Sequence, residues 1–315
     1  MNLCLRLLIA VFLLSLLVHP VLIAQEDRHE SPPNRPPIVG VAHIGLRTDN
    51  LDAARKFYTG VLGFQEPFSL DKPAAAGGGL LLTYFKVNDH QYIELFPELS
   101  DPKMDRLSHI AFETTDAEQL RTYLASKGVK VPAKLDPMQD GNRGFEVTDP
   151  DGHVVEFVEF RPGSLHSRNF GKFLPEGRIS QRIIHVGVVV KDRAAADRFY
   201  KDILAFREIW HGGMKDTDTD WVDMRVPEGT DWLEYMLNVH NPDPKLLGVM
   251  HHLALGVPSV KAAYETVLQR GYKPKEPQIG RDGKWQLNLY DPNFTRVELM
   301  EPKPVRTPCC SPMSE

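Results

Sequence analysis

An internal repeat with an offset of 142 residues most constrains the fold of this 315-residue chain. The segment 43–66, HIGLRTDNLDAARKFYTGVLGFQE, aligns without a gap with 185–208, HVGVVVKDRAAADRFYKDILAFRE, and nine of the 24 positions are identical. Such repeats indicate that one supersecondary unit is used several times. Each copy reads as an apolar strand and then an amphipathic helix, which Asn50 or Asp192 can cap. The helix is expected to end near Gly63 in the first copy and Ala205 in the second.

A second repeat lies inside each half of the chain. The segment 107–114, LSHIAFET, resembles 250–257, MHHLALGV, at an offset of 143. The two halves also end alike, with TDPDGHVVEFVEF from 148 and YDPNFTRVELMEP from 290. In both, Asp-Pro opens a turn before an alternating strand. We therefore predict an α+β fold of four βαβββ modules, over about 38–98, 105–160, 182–239 and 248–302.

The segments outside the modules have their own signatures. Residues 1–24 contain Arg6, an apolar run over 7–17 and a small residue, Ala24, which predicts a cleaved signal peptide. An uncleaved anchor is the alternative, since 3–24 could nearly span a bilayer. We predict a flexible spacer at 25–37, a linker at 161–181 and a disordered tail at 303–315. The protein is thus expected to be periplasmic or secreted, without membrane contact after cleavage.

Charge and cysteine content limit the classes of partner. The net charge is −5 and the chain has no basic run, so nucleic acid is not an expected partner. Only Cys309 and Cys310 remain after signal cleavage, which gives no disulfide framework. We expect a small-molecule substrate, and a homodimer stays open.

Each module carries one His on its first strand and one Glu on its last strand. The pairs are His43 and Glu94, His109 and Glu156, His185 and Glu234, and His252 and Glu298. The two His of a half are 66 and 67 residues apart, and the second His precedes the final Glu by 47 and 46 residues. Burying unpaired carboxylates is unfavourable, so a chain that repeats them needs a cation. Imidazole and carboxylate together suit Fe, Ni, Zn, Mn or Co.

Several motifs resemble the vicinal oxygen chelate (VOC) superfamily, over about residues 38–302. They are the βαβββ repeat, HIGL, FYTGVLGF, IELF and DPDGHVVE. This superfamily includes glyoxalase I, extradiol dioxygenases, methylmalonyl-CoA epimerase, and the bleomycin and fosfomycin resistance proteins. The resemblance implies two tandem VOC domains, 38–160 and 182–302, with cupped mixed sheets. In each, two modules would surround one divalent metal ion.

The resemblance implies ligand sets but leaves the pairing of modules open. If sequential modules pair, one site contains His43, Glu94, His109 and Glu156, and the other contains His185, Glu234, His252 and Glu298. If modules one and four pair, His43 and Glu94 join His252 and Glu298 instead. The second half departs more from the pattern, because Phe294 stands where the first half has the turn residue Gly152.

The His-Glu-His-Glu pattern is similar to the ligand set of glyoxalase I. There the metal acts as a Lewis acid and a ligating Glu can act as general base. This implies Glu156 and Glu298 as catalytic bases of a lyase or isomerase. Its substrate would be a small hydroxy-carbonyl or vicinal-oxygen compound outside the cytoplasm.

Two other functions compete with this interpretation. An extradiol dioxygenase would hold Fe(II) on His185, His252 and Glu298, but Glu146 and Asn288 stand where the ring-cleaving signature has Tyr. A non-catalytic binding or resistance protein is the second alternative, although those proteins usually lack the metal ligands that this chain keeps.

Overall fold

The computed structural model describes residues 34–239 and 242–314. The predicted signal segment and most of the predicted spacer lie outside the described residues. Among the residues that are described, no helix has the length and apolar character needed to cross a membrane.

The elements follow the predicted modular order. The strands of the first half are β1 (Ile38–Arg47), β2 (Ser69–Asp71), β3 (Leu80–Lys86), β4 (Tyr92–Phe96), β5 (Leu107–Thr114), β6 (Arg143–Thr148) and β7 (Val154–Glu159). Those of the second half are β8 (Ile183–Val189), β9 (Arg207–Gly212), β10 (Trp221–Arg225), β11 (Trp232–Met236), β12 (His252–Gly256), β13 (Gln278–Ile279), β14 (Trp285–Tyr290) and β15 (Arg296–Met300). The α-helices are α1 (Leu51–Arg55), α2 (Ala117–Ser126), α3 (Leu165–Arg168), α4 (Arg193–Ala196), α5 (Leu247–Met250) and α6 (Val260–Gln269).

The first helix of each half begins and ends as the sequence indicates. The side chains of Asn50 and Asp192 accept hydrogen bonds from backbone N–H groups in the first turns of α1 and α4. Both helices continue as π-helical turns, Lys56–Val61 and Asp197–Ile203. The chain then leaves through a left-handed residue, Gly63 at φ +77° and Ala205 at φ +64°. Glycine adopts this conformation at little cost, whereas alanine is strained there.

Each half forms one curled mixed sheet. The strand orders are β2-β3-β4-β1-β5-β7-β6 and β13-β14-β15-β12-β8-β11-β10-β9. Antiparallel pairing of β1 with β5 joins modules one and two, and pairing of β8 with β12 joins modules three and four. Sequential modules therefore pair, and the alternative pairing does not occur. The predicted α+β fold with two cupped mixed sheets is confirmed.

The two halves share a continuous apolar core and exchange hydrogen bonds between helix and turn. Tyr58, after α1, donates to Asp291 in the Asp-Pro turn of the other half, at 3.2 Å. Tyr200, after α4, donates to Asp149 in the Asp-Pro turn of the first half, at 3.0 Å. The repeated Phe-Tyr and Asp-Pro motifs thus form contacts that join the halves.

Two segments differ from the expected pattern. Before β6, the second module has only an isolated bridge between Pro137 and Arg143 in place of a strand. Proline lacks an N–H group, which prevents it from continuing a ladder. The segment 161–181, expected to be a simple linker, contains the short helix α3, whose N-cap is Ser164.

The expected disordered tail instead lies against the second half over 303–314. Backbone N–H groups of Val305 and Cys309 donate to carbonyls in the turn 281–283, and Ser314 N–H donates to Ile209 in β9. Cys309 and Cys310 form a disulfide between adjacent residues. These hydrogen bonds satisfy the backbone of a segment that has little apolar surface to bury.

Candidate metal centres

The sequence His-x-Gly occurs in β1 and β8. Its His is the first candidate metal ligand of each half, and its Gly leaves space for the second His, which comes from the neighbouring strand. Side chains two residues apart in a strand point to the same face, here the concave face of the sheet. Gly45 lies opposite His109 in the β1–β5 pair, and Gly187 lies opposite His252 in the β8–β12 pair. A Cβ atom on Gly45 would come within 2.4 Å of His109 Cε1, and one on Gly187 within 2.0 Å of His252 Cε1. Glycine thus makes room for the imidazole of the neighbouring strand.

The first site consists of His43, Glu94, His109 and Glu156. The two Nε2 atoms of the His residues lie 2.9 Å apart. Glu156 Oε2 lies 3.2 Å from His43 Nε2 and 3.4 Å from His109 Nε2. Glu94 oxygens lie 3.5 Å from His43 Nε2 and 3.3 Å from His109 Nε2. Each of the four residues is no more than 5% exposed, so two imidazoles and two carboxylates face one another in a buried group.

The electrostatics of the first site favour a bound cation. Burial alone would lower the pKa of His43, but the carboxylates of Glu94 and Glu156 raise it to about 9. Burial raises the pKa of Glu94, and the nearby imidazoles lower it by more, so that it ends below its ordinary value. In the part of the chain that the structure describes, none of the four side chains pairs with a Lys or Arg.

The donor set of the first site fits a divalent metal ion. Two neutral imidazoles and two carboxylates are ligands for borderline divalent ions. Glu156 Oε1 and His43 Nδ1 are buried and find no hydrogen-bond partner among the described residues. A free oxygen on Glu156 leaves this residue able to bind a metal through one oxygen and act through the other.

The second site consists of His185, Glu234, His252 and Glu298 and is less compact. The Nε2 atoms of its His residues lie 3.1 Å apart. Glu234 Oε2 lies 3.2 Å from His252 Nε2, whereas Glu298 Oε2 lies 3.6 Å from His185 Nε2 and 3.8 Å from His252 Nε2. All eight residues predicted from the sequence are thus brought together in two groups of four. Their roles as ligands, and those of Glu156 and Glu298 as bases, remain predictions.

Two cationic side chains accompany the second site. Arg296 Nη2 lies 2.8 Å from both ring nitrogens of His252. Lys284 is buried, pairs with Asp282 at 3.3 Å and lies 4.6 Å from the centre of the Trp232 ring. Positive charge next to a titratable site opposes protonation of its bases.

The pKa values of the second site differ in direction from those of the first. Burial, supported by nearby positive charge, lowers the pKa values of both His185 and His252 well below the ordinary value. Burial raises the pKa of Glu298 to about 8 and that of Asp223 well above its ordinary value. When no metal is bound, the second site therefore favours neutral imidazoles at His185 and His252 and protonated carboxyl groups at Glu298 and Asp223.

The concave faces of the two halves are filled differently. A cavity of about 350 Å³ opens on the second site, and Trp210, Trp221, Asp223, Arg296 and Glu298 are among its lining residues. At the first site, the ring of His166 from α3 packs among aromatic rings, with centroids 4.5–5.2 Å away, which belong to Phe68, Tyr84, Tyr92 and Phe160.

His166 and Asp140 are the residues near the first site that the sequence interpretation missed. His166 is 2% exposed, and its Nδ1 lies 2.8 Å from Asn142 Nδ2 and 3.2 Å from Asp140 Oδ2. Asp140 in turn accepts hydrogen bonds from the backbone and side chain of Asn142. The sequence does contain a pattern that could have pointed to Asp140. Asp-Gly-Asn at 140–142 recurs as Asp-Gly-Lys at 282–284, at the offset of the main repeat.

Comparison with known proteins agrees with this architecture. The model of the Glyoxalase/Bleomycin resistance protein/Dioxygenase superfamily matches residues 40–157 and again 182–299. The chain belongs to this superfamily. The resemblance found in the sequence is therefore confirmed, and the two matches coincide with the two sheets.

Relatives with assigned activities fall into two chemical classes. A lactoylglutathione lyase of Neisseria meningitidis is 29% identical over 125 residues, which are 38% of this chain and 91% of that protein. The Mn(II)-bound glyoxalase of Novosphingobium aromaticivorans has 18% identity and a TM-score of 0.64, covering 84% of this chain and 83% of its own. The 2,3-dioxygenase LapB of Pseudomonas sp. KL28 has 17% identity and a TM-score of 0.65, covering 87% and 97%. These structural similarities establish a shared fold.

Proposed function

We propose that the protein is a divalent-metal-dependent enzyme of the glyoxalase type, a lyase or isomerase whose metal is held by the first site. The observation that carries the proposal is that two imidazoles, 2.9 Å apart at Nε2, each have oxygens of both Glu94 and Glu156 within 3.2–3.5 Å at the buried first site. A metal bound there would act as a Lewis acid on adjacent oxygens of the substrate.

Glu156 is the proposed general base. Its Oε2 faces the two His nitrogens, whereas its buried Oε1 has no hydrogen-bond partner among the described residues and can accept a proton. Taking a proton from the hydroxyl-bearing carbon of a hydroxy-carbonyl and returning it to the neighbouring carbon, while the hydroxyl proton passes to the former carbonyl oxygen, is redox-neutral and needs no co-substrate. Glu94, whose two oxygens each face one of the His nitrogens, would stay with the metal.

The proposed substrate is a small hydroxy-carbonyl or other vicinal-oxygen compound outside the cytoplasm. The predicted signal peptide supports this location. Glutathione adducts, which the name of the Neisseria relative indicates for that protein, are chiefly cytoplasmic and would not be available there.

Metal analysis tests the basis of the proposal. We expect purified protein, loaded separately with Fe(II), Ni(II), Zn(II) and Mn(II) and then dialysed, to retain at least about one ion per chain of the preferred metal. Glu156→Gln should weaken retention or shift the preferred metal, since it removes one charged ligand. Retention below about 0.2 ions per chain with all four metals would contradict a metal-dependent function.

Proton exchange tests the chemistry without knowledge of the natural substrate. The Zn(II)-loaded protein in D2O should exchange the carbon-bound protons of dihydroxyacetone, as followed by proton NMR. Glu156→Gln should lower the exchange rate by about 100-fold or more, because a general base is worth that much. Glu298→Gln is the matched control at the second site and should leave the rate unchanged. Equal rates for wild type and Glu156→Gln would exclude Glu156 as the base.

A dioxygenase remains the second candidate because each site contains a group of two His and one carboxylate. In these groups, His43, His109 and Glu156 or His185, His252 and Glu298, the donor atoms lie within 4.8 Å of one another. Such triads can hold Fe(II) with open positions. Oxygen consumption by the Fe(II)-loaded protein with catechol separates the two functions, since the glyoxalase-type reaction consumes none.

A further inference from the structure

We infer that the chain binds one divalent metal ion, at the first site, and that Arg296 closes the second site to metal. This inference depends on the proposed function only in that the first site must bind metal. It concerns a residue outside the predicted ligand sets. The main difference between the two sites then comes from one strand position, which is Val154 in β7 and Arg296 in β15.

Arg296 competes with a metal ion for the space beside the His252 imidazole. His252 Nδ1 lies 2.8 Å from the carbonyl oxygen of Met250. Arg296 Nη2 lies 2.8 Å from both ring nitrogens of His252, so the guanidinium is in direct contact with the imidazole. A guanidinium has only donors and keeps its charge at all relevant pH values. It therefore places a permanent positive charge against the imidazole that a metal would need as a ligand.

Coulomb repulsion adds to this competition. Arg296 lies two residues before the ligand Glu298 on β15, so both side chains point to the concave face. The Lys284 ammonium lies above the Trp232 ring, and that ring packs against His185 with centroids 5.0 Å apart. A divalent ion at the second site would thus face the Arg296 charge at short range in a buried environment, where such repulsion is strong. Lys284 is more distant and is paired with Asp282, so its contribution is smaller.

The first site has neutral residues at both corresponding positions. Val154 lies two residues before Glu156, as Arg296 does before Glu298, and each begins the last strand of its half. Asn142 occupies the place of Lys284 in the repeated Asp-Gly motif. The residue types at the four ligand positions are therefore the same in the two halves, whereas the charges beside them differ.

Exchange of the two residues gives a reciprocal test. Mn(II) binding to the full mature chain is counted by electron paramagnetic resonance of the free ion, which does not depend on activity. We expect about one bound ion for wild type, about two for Arg296→Val and close to none for Val154→Arg. Arg296→Val with Lys284→Asn, which copies the first site at both positions, should bind the second ion more tightly than Arg296→Val alone.

Glu156→Gln and Glu298→Gln show which site is occupied, and circular dichroism with thermal melting confirms that each variant is folded. The wild type should lose affinity on Glu156→Gln and keep it on Glu298→Gln. Two ions in wild type, or one ion in a folded Arg296→Val variant, would overturn the inference and leave the proposed function intact. Loss of the wild-type ion on Glu298→Gln alone would overturn both. No binding to wild type would contradict the proposed function instead.

Discussion

Gly45 determines whether His109 can reach the first site, because the imidazole crosses β1 at this residue. An alanine Cβ would come within 2.4 Å of His109 Cε1, so the ring must move. We expect Gly45→Ala to weaken metal binding by 10- to 100-fold, of the order seen when ligand orientation is lost. Gly60→Ala is the control, since its added Cβ meets no atom within 4 Å. Isothermal titration with Zn(II) measures the effect, and equal affinities for both variants would contradict this role.

His43 makes the stability of the metal-free protein depend on pH. Its pKa is 6.5 when unfolded and about 9 when folded, so the folded state binds the proton more tightly. The resulting stabilisation is complete below pH 6.5 and is lost as the pH rises to about 9. We expect the free energy of unfolding in EDTA to fall by a few kcal/mol over this window.

Urea unfolding of wild type and His43→Gln measures this contribution. In the variant, the free energy of unfolding should no longer fall between pH 6.5 and about 9 through His43. The fall caused by deprotonation of Glu298, between pH 4.5 and about 8, should remain. Identical pH profiles for the two proteins would contradict the assignment. Bound metal should remove the His43 contribution, because a ligating imidazole is unprotonated.

At the scale of elements, Asp140 fixes α3 over the first site. Asp140 accepts hydrogen bonds from Asn142, lies 3.2 Å from His166 Nδ1, and its carbonyl accepts from Leu165 N–H at 2.7 Å. Asp140→Ala leaves buried donors unpaired and should lower the free energy of unfolding by about 2–3 kcal/mol. Hydrogen exchange of α3 should increase as well. Asp136→Ala is the control, because Asp136 is exposed and pairs only with exposed Lys134 among the described residues.

Sequence reasoning was effective where a local pattern repeats. The four modules, the helix caps at Asn50 and Asp192, and the matched His and Glu spacings all follow from hydrophobic period and residue type. The pairing of modules could not be predicted from the sequence. Pairing of sequential modules and pairing of module one with module four both require the same local pattern on the same strands. The position of His166 could not be predicted either. The helix α3 is too short to show a helical hydrophobic period, and it is held by Asp140, which lies 26 residues before His166.

The whole molecule is expected to unfold as one unit, because each half completes the other through a Tyr–Asp hydrogen bond and a shared core. Tyr58→Phe and Tyr200→Phe should each lower the free energy of unfolding by about 1–2 kcal/mol, since a buried carboxylate loses one of its donors. Calorimetry should still show a single transition that shifts as a whole. Tyr264→Phe, on the half-buried face of α6, is the control and should change little. Two separate transitions would contradict this coupling.

The paired contacts of Tyr58 with Asp291 and Tyr200 with Asp149 have an evolutionary consequence. In a homodimer of half-length chains, the two Tyr–Asp contacts would be symmetry copies of a single contact. Any substitution would then appear in both subunits. Fusion into one polypeptide removes this constraint, because each copy can mutate alone while the interface stays nearly symmetric. A tandem gene can therefore acquire an arginine at position 296 and keep valine at 154, a specialisation that no symmetric dimer can encode.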